Sequence, residues 1–208
     1  MDVLEELVEK YKLIQQFIDS LLKPDKQTSI VDILVLEHGL IRNFLDILSI
    51  AVEKLEKSEK PPRDFFEKAI EFARYFIDQF HHFKEEHVLF TQLAQKKGGT
   101  LDGEIGSLRH QHERGRNHIA DIASALDGYA KGNEIHTSTL LENLSAYISL
   151  LRRHIHKEDY TYYQMVKQEF SAKELHGILS LFQKEDQKID SRTFEAGKKI
   201  IQDMASLL

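Results

Sequence analysis

The chain of 208 residues is long enough for one domain with a sizeable core, and its hydrophobic fraction of 41% is typical of a globular protein. The formal net charge of −6 argues against nucleic acid as a partner. No apolar run is long enough to span a bilayer, and the acidic, amphipathic N-terminus does not resemble a secretory signal, so we expect a cytoplasmic protein with no membrane partner.

The chain contains no cysteine. This excludes disulfides, a thiolate nucleophile and metal sites that depend on thiolate ligands. Any bound metal must therefore be held by nitrogen and oxygen atoms, which suit iron, manganese or zinc better than a soft cation.

Between sparse breaks the apolar residues recur at intervals of three and four, which predicts an all-α protein of six helices. Capping boxes are expected at the start of the last two helices, formed by Thr139 with Glu142 and by Ser171 with Glu174. In chain order the helices are expected over about residues 2–22, about 30–57, from the Pro61-Pro62 break to about Lys96, over about 104–131, from about Thr137–Thr139, and from about Ser171 onward.

One motif occurs twice in the four central helices: a single histidine is followed about forty residues later by His-x-x-x-Glu. Residues four apart lie on one face of a helix, so each His-x-x-x-Glu directs an imidazole and a carboxylate the same way. The two copies comprise His38, His82 and Glu86, and then His112, His154 and Glu158.

The spacing of this motif predicts two antiparallel helical hairpins that bring the six side chains to one level. Each single histidine lies about twenty residues before a break, and the His-x-x-x-Glu lies about as far after it. Six ionisable side chains in a dry core are costly unless a cation compensates them. We therefore interpret the repeat as a dinuclear metal site in the core of a helical bundle.

Three neighbouring features bear on this assignment. His81 is the main alternative to His82, and the four-residue spacing from His82 to Glu86 favours His82. A zinc-peptidase motif that starts at His112 fails because position 116 is arginine. Tyr162 lies four residues after Glu158 and is interpreted as core packing, with hydrogen bonding to a metal-held ligand or a redox role as the alternative.

The segments that carry the motif resemble the hemerythrin-like (HHE cation-binding) domain family. HHFKEEHVLF is similar to the family's HHxxEExxLF segment, HIHKEDYTYYQM is similar to HIxKExxxxxxM, and EHGLIR and QHERGR resemble the two single-histidine segments. The resemblance covers about residues 30–166. It implies an antiparallel up-down-up-down four-helix bundle that holds two non-haem iron ions with a bridging oxo or hydroxo group, with manganese or zinc as the alternative. The implied ligands are His38, His82, Glu86, His112, His154 and Glu158.

The ligand pattern differs from that of oxygen-carrying hemerythrins, which have His-x-x-x-His in the third bundle helix. Here Leu108 and Arg116 occupy the positions four residues to either side of His112, and Glu158 lies four rather than five residues after its histidine. The resemblance thus implies a symmetric set of two imidazoles per ion, with an open position on each. The pattern is closest to the bacterial subgroup linked to nitrosative stress and iron–sulfur cluster repair.

Three functions are compatible with this resemblance. The first is a di-iron protein that binds or reacts with oxygen, nitric oxide or peroxide; if it is an enzyme, it is an oxidoreductase directed at peroxide or nitric oxide. The second is a stress-response iron donor whose partner is an iron–sulfur protein. The third is a module that senses oxygen, redox state or iron, and the lack of an attached signalling domain argues against it.

The sequence outside the bundle carries no chemistry that we can assign. We divide the chain into an N-terminal accessory helix (residues 1–28), the bundle (residues 29–168) and a C-terminal accessory helix (residues 169–208), so that one extra helix lies at each terminus. The apolar stripe of the N-terminal helix is expected to cover the bundle, with a homodimer interface as the alternative.

Overall fold

The computed structural model describes residues 29–189 and 193–208, and over these ranges the chain is helical and contains no strand. The predicted all-α class is therefore confirmed. The N-terminal accessory helix expected over about residues 2–22 lies outside the described residues. The helices are α1 (Ile30–Glu56), α2 (residues 63–97), α3 (Asp102–Ala130), α4 (residues 134–169), α5 (Ala172–Ile189) and α6 (Thr193–Ala205).

Local sequence explains where several of these helices begin. Ser29 caps α1, because its hydroxyl oxygen accepts from the backbone N–H of Asp32 and the Asp32 carboxylate accepts from the backbone N–H of Ser29. Helix α2 begins directly after Pro62. The expected capping box of Ser171 with Glu174 is present at the start of α5 and is confirmed.

The start of α4 differs from the prediction. The helix begins at Glu134, and the side-chain oxygen of Asn133 caps it by accepting from the backbone N–H groups of Ile135 and His136. Thr139 lies inside the helix, where its hydroxyl donates to the carbonyl oxygen of Ile135, so the expected capping box at Thr139 does not form. Asparagine is among the strongest N-cap residues, which explains why the helix begins earlier than the Thr139 motif indicated.

Two of the long helices contain π-helical turns, in which each backbone hydrogen bond spans one more residue than in an α-helix. Backbone angles stay helical at the junctions, for example φ −62° and ψ −43° at Ala73, so α2 and α4 are continuous. Such turns concentrate at functional sites. The segments are Arg63–Phe72 (α), Ala73–His82 (π), Glu85–Leu89 (π) and Phe90–Lys97 (α) in α2, and Glu134–Lys157 (α), Glu158–Tyr162 (π) and Tyr163–Glu169 (α) in α4.

The apolar core is divided into two clusters with a polar layer between them. One cluster gathers residues from the half of the molecule that contains Phe66 and Ile122, and the other contains Leu34, Phe90 and Phe182. In each long helix the buried histidines fall between a residue of one cluster and a residue of the other. The flanking pairs are Leu34 and Leu40 in α1, Phe80 and Val88 in α2, Leu108 and Ile119 in α3, and Leu151 and Tyr162 in α4.

The C-terminal part comprises two helices, α5 and α6, where a single helix was expected. Helix α6 approaches α2 closely at Gly197, since a Cβ atom there would lie 2.8 Å from Cδ2 of Phe76. Helix α5 buries Phe182 in the second apolar cluster. The division of the chain into a bundle and two accessory parts stays a prediction.

Among the described residues, no helix combines the length and apolar character that a membrane span needs.

Candidate metal centre

Two groups of potential metal ligands meet in the polar layer. The first cluster comprises His82, Glu85, His112 and His154, and the second cluster comprises His38, His81, Glu85 and Glu158. Within each cluster the ligand atoms lie within 4.8 Å of one another, and every residue is buried. Glu85 belongs to both clusters, so the two groups form one continuous centre.

All four long helices contribute to this centre. Helix α1 supplies His38, α3 supplies His112, and α4 supplies His154 with Glu158 one turn later. Helix α2 supplies the remaining three residues, within the stretch where its two π-helical segments nearly meet.

The structure brings five of the six sequence-predicted residues into the clusters and leaves Glu86 outside. Glu85 takes the place of Glu86, and His81 joins the centre beside His82. The motif His81-His82-x-x-Glu85-Glu86 contains two overlapping His-x-x-x-Glu pairs, and the pair predicted as ligands was the one that starts at His82. The symmetric arrangement of two imidazoles per ion is also altered, because the first cluster has three imidazoles and the second has two.

Four of the five imidazoles direct Nδ1 toward a side-chain oxygen outside the clusters. A partner of this kind fixes the orientation and the proton position of a ligating histidine. The pairs are His38 with Asp159 (2.8 Å), His81 with Glu37 (2.8 Å), His112 with Glu86 (2.6 Å) and His154 with Gln111 (2.9 Å). The three carboxylates also each bind a basic side chain, which is Arg42 for Asp159, Lys84 for Glu37 and Arg116 for Glu86.

These outer partners form a closed ring around the centre. Each one is adjacent in sequence to a cluster residue of its own helix, yet it contacts the histidine of the next helix. Glu37 of α1 contacts α2, Glu86 of α2 contacts α3, Gln111 of α3 contacts α4, and Asp159 of α4 contacts α1. The sequence analysis missed this ring, although a polar residue beside each ligand was a readable signal.

The inner nitrogen atoms carry lone pairs that face one another. A neutral imidazole has one N–H, and Nδ1 uses it for the outer partner, so Nε2 is an acceptor. Yet Nε2 of His112 lies 3.0 Å from Nε2 of His154, which in turn lies 3.2 Å from Oε1 of Glu158. On the other side, Nε2 of His38 lies 3.3 Å from Oε2 of Glu158. Acceptors packed this closely repel one another unless a proton or a cation lies between them.

Several buried atoms of the centre lack any hydrogen-bond partner among the described residues: Nε2 of His81, Oε2 of Glu85, and both carboxylate oxygens of Glu158. Unsatisfied buried polar atoms are rare in proteins, and a bound ion or water commonly satisfies them. Nitrogen and carboxylate donors of this kind bind divalent cations such as iron, manganese and zinc. The donor set therefore fits a metal centre.

Burial shifts the titration of the whole centre toward neutral side chains. It lowers the pKa of all five clustered imidazoles, which favours the neutral form that binds metal. Burial also raises the pKa of Glu85 to about 8 and that of Glu158 well above its usual range. A cation that binds here must therefore displace protons from the carboxyl groups.

Glu86 is in a different environment although it is adjacent to Glu85. It is half-buried, and burial opposes its ionisation. Hydrogen bonds from His112 and Arg116 outweigh this effect and lower the pKa of Glu86 to about 2. Glu86 is thus charged at neutral pH and supports His112 through a hydrogen bond.

Two adjacent tyrosines of α4 border the centre. The hydroxyl group of Tyr163 donates to Oε1 of Glu85 at 2.7 Å, and its ring stacks on His38 with ring centroids 5.4 Å apart. The sequence analysis did not single out Tyr163. Tyr162, which it did consider, packs edge-on against Phe90, and its buried hydroxyl has no hydrogen-bond partner among the described residues.

Comparison with known proteins agrees with this geometry. Three uncharacterized proteins, one from Mycobacterium bovis and two from strains of Mycobacterium tuberculosis, are each 27% identical to the chain over 170 residues. The match covers 82% of this chain but only 65% of each relative. No solved structure matches the chain. The model of the hemerythrin HHE cation-binding domain matches residues 29–166, so the chain belongs to the hemerythrin HHE family.

Proposed function

We propose that the protein is a non-haem di-iron protein that binds or reacts with a small ligand such as oxygen, nitric oxide or peroxide. The observation that carries this proposal is the set of inward-facing lone pairs. The outer ring holds the Nδ1 protons of four imidazoles, so their Nε2 atoms face the centre as acceptors, and only the protons of the buried carboxyl groups lie among them. Two cations relieve this repulsion at seven side chains at once.

We also propose that α1 to α4 form an antiparallel up-down-up-down bundle. The ring of outer partners supports this arrangement, because it connects the four helices in cyclic order. Contacts between α2 and α3 support opposite directions: Arg63 at the start of α2 pairs with Asp127 near the end of α3, whereas Arg109 near the start of α3 donates to the carbonyl oxygen of Glu86.

The donor set divides between two ions. His112 and His154 would hold the first ion, with His82 beside them, and His38 and His81 would hold the second. Glu85 is shared by both clusters, and the two oxygens of Glu158 approach His154 on one side and His38 on the other, so both carboxylates would help to hold both ions. When bound, the two ions supply Lewis acidity and electron transfer to a ligand, and the chain's residues hold the centre in a water-poor layer.

A second candidate function is iron donation to an iron–sulfur protein. It is favoured by the uneven support of the imidazoles. His154 has a neutral amide partner, and Nδ1 of His82 has no hydrogen-bond partner among the described residues. The remaining imidazoles have carboxylate partners; they are those of His38, His81 and His112. Carboxylate partners strengthen imidazole ligands, so the first ion is expected to leave sooner than the second. Incubation of the iron-loaded protein with a chelator tests this. Rapid loss of one of the two irons would support iron donation, and retention of both irons would support a protein that binds or reacts with a small ligand.

Metal analysis of matched variants tests the main proposal. Protein purified from iron-supplied cells is expected to contain about two irons per chain, with near-ultraviolet absorption from the dinuclear centre. His154→Ala and Glu85→Ala should lose most of this iron, because each removes a donor atom from a cluster. Glu71→Gln, on the same helix as Glu85, is the matched control and should retain the iron, since Glu71 is exposed and lies outside both clusters. The proposal fails if the wild-type protein holds no metal above background in any preparation.

A further inference from the structure

A cavity of about 280 Å³ lies beside the first cluster, between α2, α3 and α4. Its lining extends from the exposed residues Arg74 and Gln79 to the buried imidazoles of His82 and His112. Within the described part of the chain, the cavity thus connects the protein surface with the three-imidazole side of the centre. The second cluster contributes no lining residue.

The size and lining of the cavity indicate what it holds. A water molecule occupies about 30 Å³ of liquid, so the cavity has room for several heavy atoms and is larger than a diatomic ligand requires. An apolar section of the lining is formed by Ala73, Ile77, Ile119 and the buried ring of Tyr147. Gly115 adds no side chain there, which keeps this section open. The space therefore suits a molecule with an apolar body.

His82 offers a polar contact at the buried end. Its ring stacks on His112 with centroids 3.7 Å apart and planes only 9° from parallel. Its Nδ1 is buried, has no hydrogen-bond partner among the described residues, and lies 3.9 Å from Oδ1 of Asp78, another lining residue. A buried ring nitrogen without a partner is costly, and a ligand hydroxyl would satisfy it.

The charge of Arg116 is already compensated, whereas Arg74, the other arginine of the lining, is exposed to solvent. Arg116 donates to Asp78 at 2.7 Å, to Glu86 at 2.8 Å and to Glu113 at 3.2 Å. Three carboxylates therefore occupy its guanidinium group, so an anion would gain little from Arg116, and solvent screens the charge of the exposed Arg74. Apart from the ion pair of Arg116 with Asp78, the lining near the imidazoles is apolar, so a charged ligand would lose its hydration without gaining an unpaired counter-charge.

We propose that this cavity binds an uncharged small organic molecule with an apolar body and one hydroxyl-type oxygen, of the alcohol or alkyl hydroperoxide class, whose oxygen hydrogen-bonds to Nδ1 of His82. The inference deepens the proposed function, on which it rests for the reactive role of the neighbouring centre. It places ligand entry at the first cluster, and it makes His82 a residue that recognises the ligand.

The test begins with metal-free protein, so that binding is measured apart from any metal chemistry. The probe is tert-butyl alcohol, which has the shape of tert-butyl hydroperoxide without its reactive O–O bond. Titration should shift the NMR signals of the Ile77 and Ile119 methyl groups saturably. Gly115→Leu fills the apolar section and should weaken binding at least tenfold. Gly115→Ala is the matched control, since its Cβ would make an ordinary 3.5 Å contact with Cε2 of Tyr147 and should leave binding within about twofold.

The role of His82 has its own variant. His82→Phe keeps an aromatic ring to stack on His112 but removes the nitrogen, and it should weaken tert-butyl alcohol binding about fivefold. Unshifted methyl signals in the wild type, or equal binding by Gly115→Leu, would overturn the cavity proposal. Unchanged affinity in His82→Phe would overturn the assigned hydrogen bond. Wild-type protein that takes up no iron would instead refute the proposed function, and the metal-free titration would still decide the cavity.

A second arm separates the two ligand sources in iron-loaded protein. If alkyl hydroperoxides are ligands, Gly115→Leu should slow the spectral response to tert-butyl hydroperoxide at least tenfold and that to hydrogen peroxide much less. Equal slowing, or none, would overturn the hydroperoxide assignment and leave alcohols as the ligand class.

Discussion

Replacing Glu85 with glutamine is expected to stabilise the metal-free protein while weakening metal binding. Glu85 is fully buried next to Glu158, and burial raises its pKa to about 8. At neutral pH the unfolded chain releases this proton whereas the folded protein retains it, so the side chain opposes folding. Glutamine has nearly the same shape, carries no charge, and keeps an oxygen that accepts from the hydroxyl of Tyr163.

The size of this effect follows from the pKa. The ordinary value of 4.5 lies about 2.5 units below pH 7, and each unit in which only the folded state holds the proton costs about 1.4 kcal/mol. Glu85 therefore costs the metal-free protein up to about 3 kcal/mol at pH 7. The size of the cost depends on pH: below 4.5 both states hold the proton and the cost vanishes, and above 4.5 the cost grows until the folded pKa of about 8 is reached.

Urea unfolding of metal-free wild-type and Glu85→Gln protein at several pH values measures this difference. The free energy of unfolding of the variant should exceed that of the wild type by an amount that increases from about pH 5 to about pH 8. Glu86→Gln is the matched control with the opposite sign, because its pKa is lowered to about 2 and its charge stabilises the fold at pH 7. Equal destabilisation by both variants, or a pH-independent gain for Glu85→Gln, would refute the reasoning. Metal added back should reverse the ranking, since the stabilised variant lacks a ligand.

Three further predictions concern stability and the outer residues. Metal-free protein should lose stability as pH falls below about 6.5, because burial lowers the imidazole pKa values. The loss should reach up to about 1.4 kcal/mol per pH unit for each clustered imidazole, and the buried carboxyl groups should offset part of it. A urea midpoint that stays constant between about pH 7 and pH 5.5 would contradict this. Gly197→Ala should destabilise the protein by about 1–3 kcal/mol, since its Cβ would lie 2.8 Å from Phe76, whereas Gly177→Ala, which meets no atom within 4 Å, should not; thermal unfolding compares them. Tyr162→Phe removes a buried hydroxyl without a hydrogen-bond partner among the described residues, so the stability of the metal-free protein should be unchanged or slightly raised. A changed absorption spectrum of the ligand-bound iron protein would show that this hydroxyl contacts the ligand, and an unchanged spectrum would exclude that contact.

Much of the helical framework could be predicted because its breaks are strong local signals. Prolines before α2, and glycines with positive φ at Gly98 and Gly132, fix helix ends through the backbone of single residues. The start of α4 was harder, since Asn133 and Thr139 both carry capping side chains and only the folded chain selects between them. Helix-capping preferences alone do not decide between two capping residues that lie this close in sequence.

The one-residue shift from Glu86 to Glu85 has a different cause. Adjacent residues of an α-helix point about 100° apart, so a regular helix directs only one of His81 and His82 at the centre. The π-helical turns Ala73–His82 and Glu85–Leu89 insert extra residues and change this phase. Both histidines then reach the polar layer, and Glu85 rather than Glu86 turns inward. No propensity scale predicts a π-helical turn from sequence. The sequence could therefore limit the ligand to Glu85 or Glu86, and only the folded structure shows which of them turns inward.

The ring of outer partners also has a consequence for how metal enters the protein. Each histidine with an outer partner is oriented by a residue from the neighbouring helix, and the sequence of four contacts closes on itself. A chain that has formed only one helical hairpin therefore leaves at least one imidazole of each pair without its support. In such an intermediate the imidazoles without an outer partner would be poorly oriented and would bind copper or zinc only weakly. We therefore expect the metal ions to bind tightly only after all four helices have packed together, rather than during synthesis of the chain.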